Sequence, residues 1–183
     1  MSDLCRKCER PLEIWEASVD HPYQYTESGL PNVRLAGITV YSCPNCEADS
    51  ADIPNLDGLH DLISRDIILT PLPMTGAELR FLRKEARLKP KQLAERLGVD
   101  PKTISNWESS DKLSRQVDIP VRVLIAGALW EGKEVLPILQ QLSDLLKYGW
   151  DEPWEETEQD IAKLAADNTI LGIDEHRQWG MAA

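Results

Sequence analysis

The chain has 183 residues, of which 42% are hydrophobic, and its formal net charge is −11 at pH 7. The length allows one full domain or two small ones, and the hydrophobic content is sufficient for a core. Charged residues near the N-terminus, among them Asp3 and Arg6, argue against a signal peptide. The longest apolar stretch, residues 121–130, is interrupted by Arg122 and is too short to cross a membrane. We therefore expect a soluble cytoplasmic protein.

The first recognisable feature along the chain is a pair of Cys-x-x-Cys motifs. Cys5 and Cys8 form one motif, Cys43 and Cys46 form the other, and 34 residues separate them. Each motif can point two thiolates at one ion, and two motifs complete the tetrahedral all-thiolate site that suits Zn²⁺. Because four protein ligands leave no open position for a substrate, we expect the zinc to fold the domain rather than to catalyse a reaction.

Three other interpretations of the cysteines remain. Two disulfides are disfavoured because a cytosolic protein does not normally keep them, and a redox function needs one Cys-x-x-Cys pair rather than two. An iron site of the rubredoxin type is chemically feasible because iron also accepts four thiolates. Structural zinc is the interpretation that the spacing and the ligand count favour.

The insert between the two cysteine motifs predicts short β-strands. Residues 23–26 and 33–41 contain β-branched and aromatic side chains, and turn signals lie between them at Ser28-Gly29 and at residues 30–32. We expect a zinc-stapled β domain over residues 1–72, which is too small to be stable without its metal.

The middle of the chain predicts helices joined by a tight turn. Thr75 and Glu78 form a capping box, which opens the first helix. A second helix spans residues 90–97 and ends at Gly98, and Asp100 then caps a short third helix. Two helices joined by a three-residue turn are typical of a helix-turn-helix.

The third helix is short and polar, which suits the major groove of DNA. Ile104 and Trp107 are expected to anchor it in the core and to leave its polar side chains outside. Lys102 and Asn106 are four positions apart and can reach successive base edges, because lysine can donate to guanine and asparagine can pair with adenine. The predicted DNA-binding residues are Lys91, Lys102, Thr103, Ser105, Asn106 and Lys112, with Arg115 as a further candidate for phosphate contact.

The charge distribution is consistent with a nucleic-acid surface in the middle of an acidic chain. Residues 1–73 carry a net charge of −7 and residues 74–127 carry +4. Residues 128–150 carry −1, and residues 151–183 carry −7. The basic middle is therefore the natural candidate for phosphate contact.

Three segments of this region resemble the Cro/repressor class of helix-turn-helix domains. They are residues 78–83 (ELRFLR), 92–99 (QLAERLGV) and 103–108 (TISNWE). In that class an arginine matching Arg83 commonly pairs with a glutamate matching Glu108, so the resemblance implies a structural role for the pair. Such domains often start the second helix with a glutamine that touches phosphate. This chain has Pro90 there, and Lys91 is the residue that we expect to replace the contact.

Cysteine motifs in front of such a domain are similar to those of the MqsA-type antitoxins and their relatives with a YgiT-type zinc finger. The resemblance covers roughly residues 4–127 and is carried by both Cys-x-x-Cys motifs, by the stretch from residue 23 to residue 38 and by the helix-turn-helix. It implies a zinc domain that can bind a partner protein, in the best-known cases a toxin ribonuclease. It also implies a dimer that binds a palindromic operator, often in its own promoter.

The last third of the chain predicts two further helices and an acidic tail. Residues 120–130 are apolar on nearly every side, which marks a buried helix or a dimer seam. A helix over residues 134–147 places Val135, Leu139, Leu142 and Leu146 on one face at heptad-like spacing, which is the basis of a homodimer hypothesis. The segment from Asp151 is predicted to be a solvated acidic tail, with a short helix through Ile161, Leu164 and Ala165. The alternative is a segment that masks the basic face or binds a partner through Trp150, Trp154 and Trp179.

The combined prediction is an α+β chain with a zinc-stapled β domain at 1–72 and an all-α helix-turn-helix domain at 73–130. A helical extension at 131–150 and the acidic tail at 151–183 follow. The predicted function is a sequence-specific transcriptional regulator, an autorepressing antitoxin whose partners are double-stranded DNA, a second copy of the chain and a toxin held by the N-terminal domain. The alternatives are a stand-alone zinc-containing regulator, an iron-binding electron carrier and a protein-interaction module. An enzyme is not expected, because the sequence has no glycine-rich phosphate loop and no Ser/His/Asp pattern.

Overall fold

The computed structural model describes residues 4–130, 135–148, 169–173 and 178–182. The chain divides into two compact units, unit 1 (residues 1–59 and 162–183) and unit 2 (residues 60–161). A β region that carries the cysteines is followed by a helical region, so the predicted α+β class is confirmed. No helix in the described part of the chain is long and apolar enough to span a membrane.

Unit 1 contains a three-stranded antiparallel sheet. Its strands are β1 (Glu13–Glu16), β4 (Thr39–Ser42) and β5 (Asp49–Asp52), in the order β1-β4-β5. β4 is the central strand, so β1 and β5 are the two edges. The buried residue of β4 is Val40, which lies between Trp15 on β1 and Ala51 on β5. The opposite face of this sheet carries Ile14, Tyr41 and Ser50, and Ile14 is 55% exposed.

A second sheet of unit 1 has four strands in the order β2-β3-β6-β7. These are β2 (Tyr23–Gln24), β3 (Val33–Ala36), β6 (Thr169–Ile173) and β7 (Trp179–Met181). β3 pairs in parallel with β6, and the other two pairs are antiparallel. The buried side chains of Tyr23, Leu35 and Leu171 belong to three of these strands and form part of the core of unit 1.

The single strand predicted over residues 33–41 is two strands, because the backbone turns at Gly37. This glycine has φ of +75°, a left-handed conformation that L side chains rarely adopt. Its N–H donates to the carbonyl oxygen of Ala17 at 2.7 Å. The turn allows β3 and β4 to belong to different sheets.

The C-terminal residues differ from the prediction of a solvated tail over residues 151–183. Residues 169–173 and 179–181 form strands of unit 1, and the indole N–H of Trp179 donates to the carbonyl oxygen of Pro54 at 2.9 Å. The physical reason is the apolar β-branched character of Ile170 and Ile173, which suits pairing with β3. The helix predicted through Ile161 lies outside the described residues.

Unit 2 is helical. Its elements are α1 (Leu56–Leu69, which begins in unit 1), α2 (Gly76–Glu85), α3 (Pro90–Leu97), α4 (Pro101–Trp107), α5 (Arg115–Leu129) and α6 (Val135–Tyr148). Side chains from five of them are fully buried, namely Ile68, Leu79, Leu82, Leu93, Ile104 and Ile125. The helix predicted over residues 90–97 has the expected bounds and the helix after Asp100 begins where expected, whereas α1 was not predicted.

The two C-terminal helices differ in detail from their predictions. α5 begins at Arg115, five residues before the predicted apolar stretch that starts at Pro120. Pro120 therefore lies in the interior of the helix. α6 buries Ile138 and Leu142, each at 2% exposure, and leaves Leu136 at 64%. Leu142 is therefore on the inner face as predicted, but its buried partner is Ile138 rather than Leu139. The side chain of Leu146 is outside the described part.

Candidate metal centre and nucleic-acid interface

Two turns of the same geometry present the four cysteines. In the first turn the N–H of Cys5 donates to Arg10 O and the N–H of Glu9 donates to Cys5 O, both at 2.8 Å. In the second the N–H of Cys43 donates to Ala48 O and the N–H of Glu47 donates to Cys43 O, both at 3.0 Å. Glu9 and Glu47 both have positive φ, 56° and 54°. Because the two turns share one backbone pattern, each motif presents its two thiols in the same arrangement.

The four sulfur atoms converge on one point. All four lie within 4.8 Å of one another, and the shortest distances are 3.4 Å for Cys8–Cys43 and 3.5 Å for Cys5–Cys46. These distances are far longer than the roughly 2.05 Å of a disulfide bond. Tetrahedral metal–sulfur bonds of about 2.3 Å imply a sulfur–sulfur separation of roughly 3.8 Å, so the cluster fits a four-thiolate metal ion. Cys5 and Cys43 are buried, and Cys8 and Cys46 are half-buried.

The thiols differ in their proton affinity. The N–H of Lys7 donates to the sulfur of Cys5 at 3.4 Å and lowers the pKa of Cys5 to about 6. The neighbouring sulfur atoms of Cys5 and Cys43 raise the pKa of Cys46 to about 12. A thiolate at Cys5 next to a thiol at Cys46 is the behaviour expected of sulfur atoms that crowd one point, where a cation would stabilise all four as thiolates.

In unit 2, the first helix of the helix-turn-helix region begins at the predicted capping box. Thr75 Oγ1 accepts the N–H of Glu78 at 3.2 Å, and Glu78 Oε2 accepts the N–H of Thr75 at 2.6 Å. Gly76 follows at the first position of α2, and its N–H donates to Ser110 O at 3.0 Å. A Cβ on Gly76 would lie 2.5 Å from Trp107 O, so a glycine is required where α2 approaches the end of α4.

The turn between α3 and α4 has the predicted chemistry. Gly98 has φ of +68°, and the N–H of Val99 donates to Ala94 O at 3.0 Å. Asp100 then caps α4, because its carboxylate accepts the N–H of Lys102 at 2.8 Å. The carboxylate also lies at the positive end of the helix dipole, which stabilises the N-terminus of α4.

Most predicted DNA-binding side chains lie in solvent. Lys102, Ser105 and Asn106 on α4 are exposed, Thr103 is half-buried, and Ile104 on the opposite side of the helix is completely buried. Trp107 is half-buried, so it anchors α4 only in part. Lys91 on α3 and Lys112 and Arg115 after α4 are also exposed. The structure therefore gives α4 one apolar face and one polar face, as a groove-binding helix requires.

At the start of α3 the side chains differ from the class pattern. Lys89, which precedes Pro90, has its N–H bound to the side-chain oxygen of Gln92 at 2.8 Å. Lys91 lies 3.9 Å from Glu95 in an exposed ion pair, which contributes little stability and is easily exchanged for another anion. Gln92 was not predicted in this capping role, and its place at the third position of α3 was the available signal.

A cluster of charges fixes α4 on α2. Arg83 Nε donates to Glu108 Oε1 at 2.5 Å, and its Nη1 donates to Leu88 O at 2.8 Å. Arg80 Nη2 donates to the carbonyl oxygen of Glu108 at 3.2 Å. Glu108 is only 9% exposed, so it is a structural residue, as the resemblance to the Cro/repressor class implied.

A second charged pair, Asp118 and Arg122, was not predicted. Both side chains are fully buried, and Arg122 Nε donates to Asp118 Oδ1 at 2.8 Å. Arg122 also donates to carbonyl oxygens of Ile67, Ile68 and Leu72. The pair therefore caps the C-terminus of α1 from α5. The sequence signal for this pair was the presence of two opposite charges four positions apart within an otherwise apolar helix.

Comparison with known protein families finds a match for one part of the chain. The profile of a helix-turn-helix family of the Cro/C1 type matches residues 79–118, from α2 to the first turn of α5. The match covers less than half of the chain. No curated protein and no solved structure matches the sequence.

Proposed function

We propose that this chain, in which residues 79–118 form a Cro/C1-type helix-turn-helix domain, is a sequence-specific DNA-binding transcriptional regulator and not an enzyme. The observation that carries the proposal is the two-sided character of α4. Its buried residue is Ile104, its exposed residues are Lys102, Ser105 and Asn106, and the Arg83–Glu108 pair fixes its end. A rigid helix with free polar side chains is what major-groove recognition needs.

The exposed residues have different roles in the proposed complex. Lys102 and Asn106 contact base edges, since they are four positions apart on one helical face. Thr103 and Ser105 contact a thymine methyl group or a phosphate, and Lys91 and Lys112 contact the phosphate backbone. No hydrogen bond or ion pair occupies the Lys102, Asn106 or Lys112 side chain within the part of the chain that the structure describes.

The four cysteines hold a structural Zn²⁺ ion in the proposed protein. Support comes from the converging sulfur atoms, from the absence of a disulfide among them and from two turns that match in hydrogen bonding. Zinc neutralises part of the charge of the four thiolates. It also links the cysteine turn before β1 to the cysteine turn after β4, and so holds these two strands together. Iron at the same site is the alternative, and it would colour the purified protein.

Dimerisation, autorepression and a toxin partner complete the proposal. A single helix-turn-helix makes few contacts, so two copies on a palindromic operator give the affinity that regulation in the cytoplasm requires. The resemblance to MqsA-type antitoxins supports a toxin bound through the N-terminal domain. A stand-alone zinc-containing regulator is the alternative, and isolation of the chain with a stoichiometric small protein encoded beside it distinguishes the two.

The proposal is tested with full-length protein and the DNA upstream of its own coding sequence. We expect a salt-dependent complex, and Asn106→Ala should weaken it by about 1–3 kcal/mol at one base-pair position. Lys112→Gln should weaken binding to all DNA sequences alike, and it should reduce the slope of log K against log salt concentration by about 1. The matched controls are Asn45→Ala and Lys7→Gln, which remove exposed side chains of the same kinds from unit 1.

Two outcomes would contradict the proposal. One is a folded protein that binds neither its upstream DNA nor any sequence from a random-sequence selection at low salt. The other is DNA binding that Asn106→Ala and Lys112→Gln leave unchanged, which would show that α4 is a scaffold. Light scattering that detects only monomers at micromolar concentration would contradict the dimer.

A further inference from the structure

We infer that Asp118 is a positioning residue for DNA binding, because it holds, through the backbone of residues 74–76, the segment that carries Lys112. The inference rests on the proposed function, in which Lys112 contacts a phosphate. Asp118 and its partner Arg122 cannot reach DNA themselves, since they are 0% and 1% exposed. A buried ion pair is often no more stabilising than apolar side chains of similar volume, so stability alone does not account for this one.

The buried pair binds the linker between α1 and α2. The linker, residues 70–75, contains two prolines, which have no N–H to donate. Arg122 Nη2 donates to the carbonyl oxygen of Leu72 at 2.6 Å, and Asp118 Oδ2 accepts the N–H of Met74 at 3.3 Å. The pair therefore ties the linker to α5 at two places.

The end of the linker in turn holds the connection between α4 and α5. The carbonyl oxygen of Met74 accepts the N–H of Leu113 at 2.8 Å, and the N–H of Gly76 donates to Ser110 O at 3.0 Å. Met74 and Leu113 are both buried, which shields their hydrogen bond from water. Asp118 and the connection thus bind the two backbone polar groups of a single residue, Met74.

Lys112 lies between the two residues that the linker holds. Asp111 and Lys112 separate Ser110 from Leu113, and both of them are exposed. A side chain on a segment that is already ordered binds more tightly, because less conformational entropy is lost when the complex forms. The contacts that run from Asp118 through Met74 therefore prepare Lys112 for its phosphate contact.

Asp118→Asn tests this series of contacts with a side chain of nearly the same shape. The carboxylate of Asp118 accepts Arg122 Nε at one oxygen and the N–H of Met74 at the other. A carboxamide has only one oxygen, so one of the two donors must face an NH2 group. The guanidinium, which is charged and donates to both oxygens, competes better for the remaining acceptor. We expect the Met74 N–H to lose its partner.

The first readout is the effect of Lys112→Gln on DNA affinity in the wild-type and Asp118→Asn backgrounds, measured with full-length protein and its upstream DNA. In wild type, loss of one phosphate contact should weaken binding roughly 5- to 10-fold at about 0.1 M salt. In Asp118→Asn the same substitution should weaken binding less than about twofold. Lys91→Gln is the matched control, because Lys91 lies in α3, outside the connection, and should have equal effects in both backgrounds.

The second readout, amide hydrogen exchange followed by NMR, needs no DNA. The N–H groups of Leu113 and Gly76 form the two bonds between linker and connection, and in Asp118→Asn they should exchange at least about 10-fold faster. The N–H of Val99, which donates to Ala94 O in the turn between α3 and α4, should exchange as in wild type.

Arg122→Lys separates position from stability. Lysine keeps a positive charge beside Asp118 but lacks the forked guanidinium that reaches the carbonyl oxygens at the end of α1. We expect this variant to be less stable than wild type in urea unfolding and still to show the full effect of Lys112→Gln. If Asp118→Asn does not fold, Asp118→Val with Arg122→Met replaces it, because that variant buries no unpaired charge.

Equal effects of Lys112→Gln in the two backgrounds would overturn the inference, and so would unchanged exchange at Leu113. If Lys91→Gln also loses its effect in Asp118→Asn, the buried pair supports the whole helix-turn-helix and does not position Lys112, which overturns the inference as well. A wild-type protein that binds no DNA, or that Lys112→Gln leaves unaffected, would refute the proposed function and the inference together. That failure is visible before Asp118 is changed, so it is distinct from the others.

Discussion

Arg83 and Glu108, which are 25 residues apart in sequence, form a buried ion pair that joins α2 to the end of α4, with Arg83 Nε donating to Glu108 Oε1. Arg83 also binds the carbonyl oxygen of Leu88 just after α2, and Glu108 follows the last residue of α4. The pair thus fixes the C-terminal end of α4. A stability experiment can separate this role from direct DNA contact.

We expect Glu108→Gln to destabilise unit 2 by about 3 kcal/mol, because it leaves the guanidinium of Arg83 buried without its counter-charge. Urea unfolding followed by circular dichroism measures the change. Glu95→Gln is the matched control, since Glu95 belongs to an exposed ion pair and should cost less than about 1 kcal/mol. Equal effects of the two substitutions would show that burial of the pair has no energetic consequence.

Two helical glycines should respond in opposite directions to alanine. Gly76→Ala places a Cβ 2.5 Å from Trp107 O and 2.7 Å from Ser110 O, so α2 and the end of α4 must separate. We expect a loss of roughly 1–3 kcal/mol and weaker DNA binding. Gly127→Ala meets no atom within 4 Å and should stabilise α5 by about 0.5–1 kcal/mol. Calorimetry of both variants checks the sign, and a stabilised Gly76→Ala would refute the close approach.

Removal of the metal should unfold unit 1 and spare unit 2. Structural zinc contributes about 10–16 kcal/mol in small zinc domains, which exceeds what a small β unit can supply from its own core. We expect Cys43→Ser, or a chelator, to abolish stoichiometric metal in elemental analysis and to remove one of two calorimetric transitions. Asp49→Asn, an exposed substitution in the same unit, should change neither. Loss of the transition assigned to unit 2 would contradict independent folding of the helices.

The capping carboxylate of α2 should make stability depend on pH. Burial raises the pKa of Glu78, and its hydrogen bonds with Thr75 offset this only in part. The folded state therefore binds the proton of Glu78 more tightly than the unfolded state does. Protonated Glu78 thus contributes to the free energy of unfolding at low pH, and this contribution is lost as the pH rises through the raised pKa. Glu78→Gln keeps a capping acceptor but does not titrate.

We expect wild type to lose stability relative to Glu78→Gln as the pH rises from the ordinary glutamate pKa of about 4.3 through the raised pKa of Glu78. Urea unfolding of both proteins at several pH values measures the difference. Glu95→Gln, at an exposed position of α3, should give a curve parallel to that of wild type. If the Glu78→Gln curve is parallel as well, the carboxylate does not titrate differently in the two states.

The sequence alone predicted the local features of the helix-turn-helix and the cysteine cluster. The Thr75–Glu78 capping box, the left-handed Gly98 and the cap at Asp100 each depend on neighbouring residues, so short patterns identify them. The convergence of the two cysteine motifs followed from their equal spacing and is confirmed. The assignment of individual DNA-binding residues and of zinc stays a prediction.

Features that depend on distant residues were not predicted. Pairing of β3 with β6 joins segments that local periodicity treats separately, and the acidic composition before residue 169 concealed the strand that follows. The role of Arg122 required knowledge that α1 ends beside α5. Local pattern did not identify the need for glycine at position 76, because the contact of Gly76 with Trp107 is a tertiary one.

The parallel pairing of β3 with β6 has a consequence for the order in which the protein is made. Val33 and Thr169 are neighbours in one sheet although 136 positions separate them along the chain. During synthesis the helical unit can fold as soon as it emerges, because its contacts are local, but the second sheet of unit 1 must wait for the last residues. A ribosome that stops early would therefore release a chain with a complete helix-turn-helix and an unfinished N-terminal sheet. Such a product would retain the helix-turn-helix region but would lack the complete β2-β3-β6-β7 sheet.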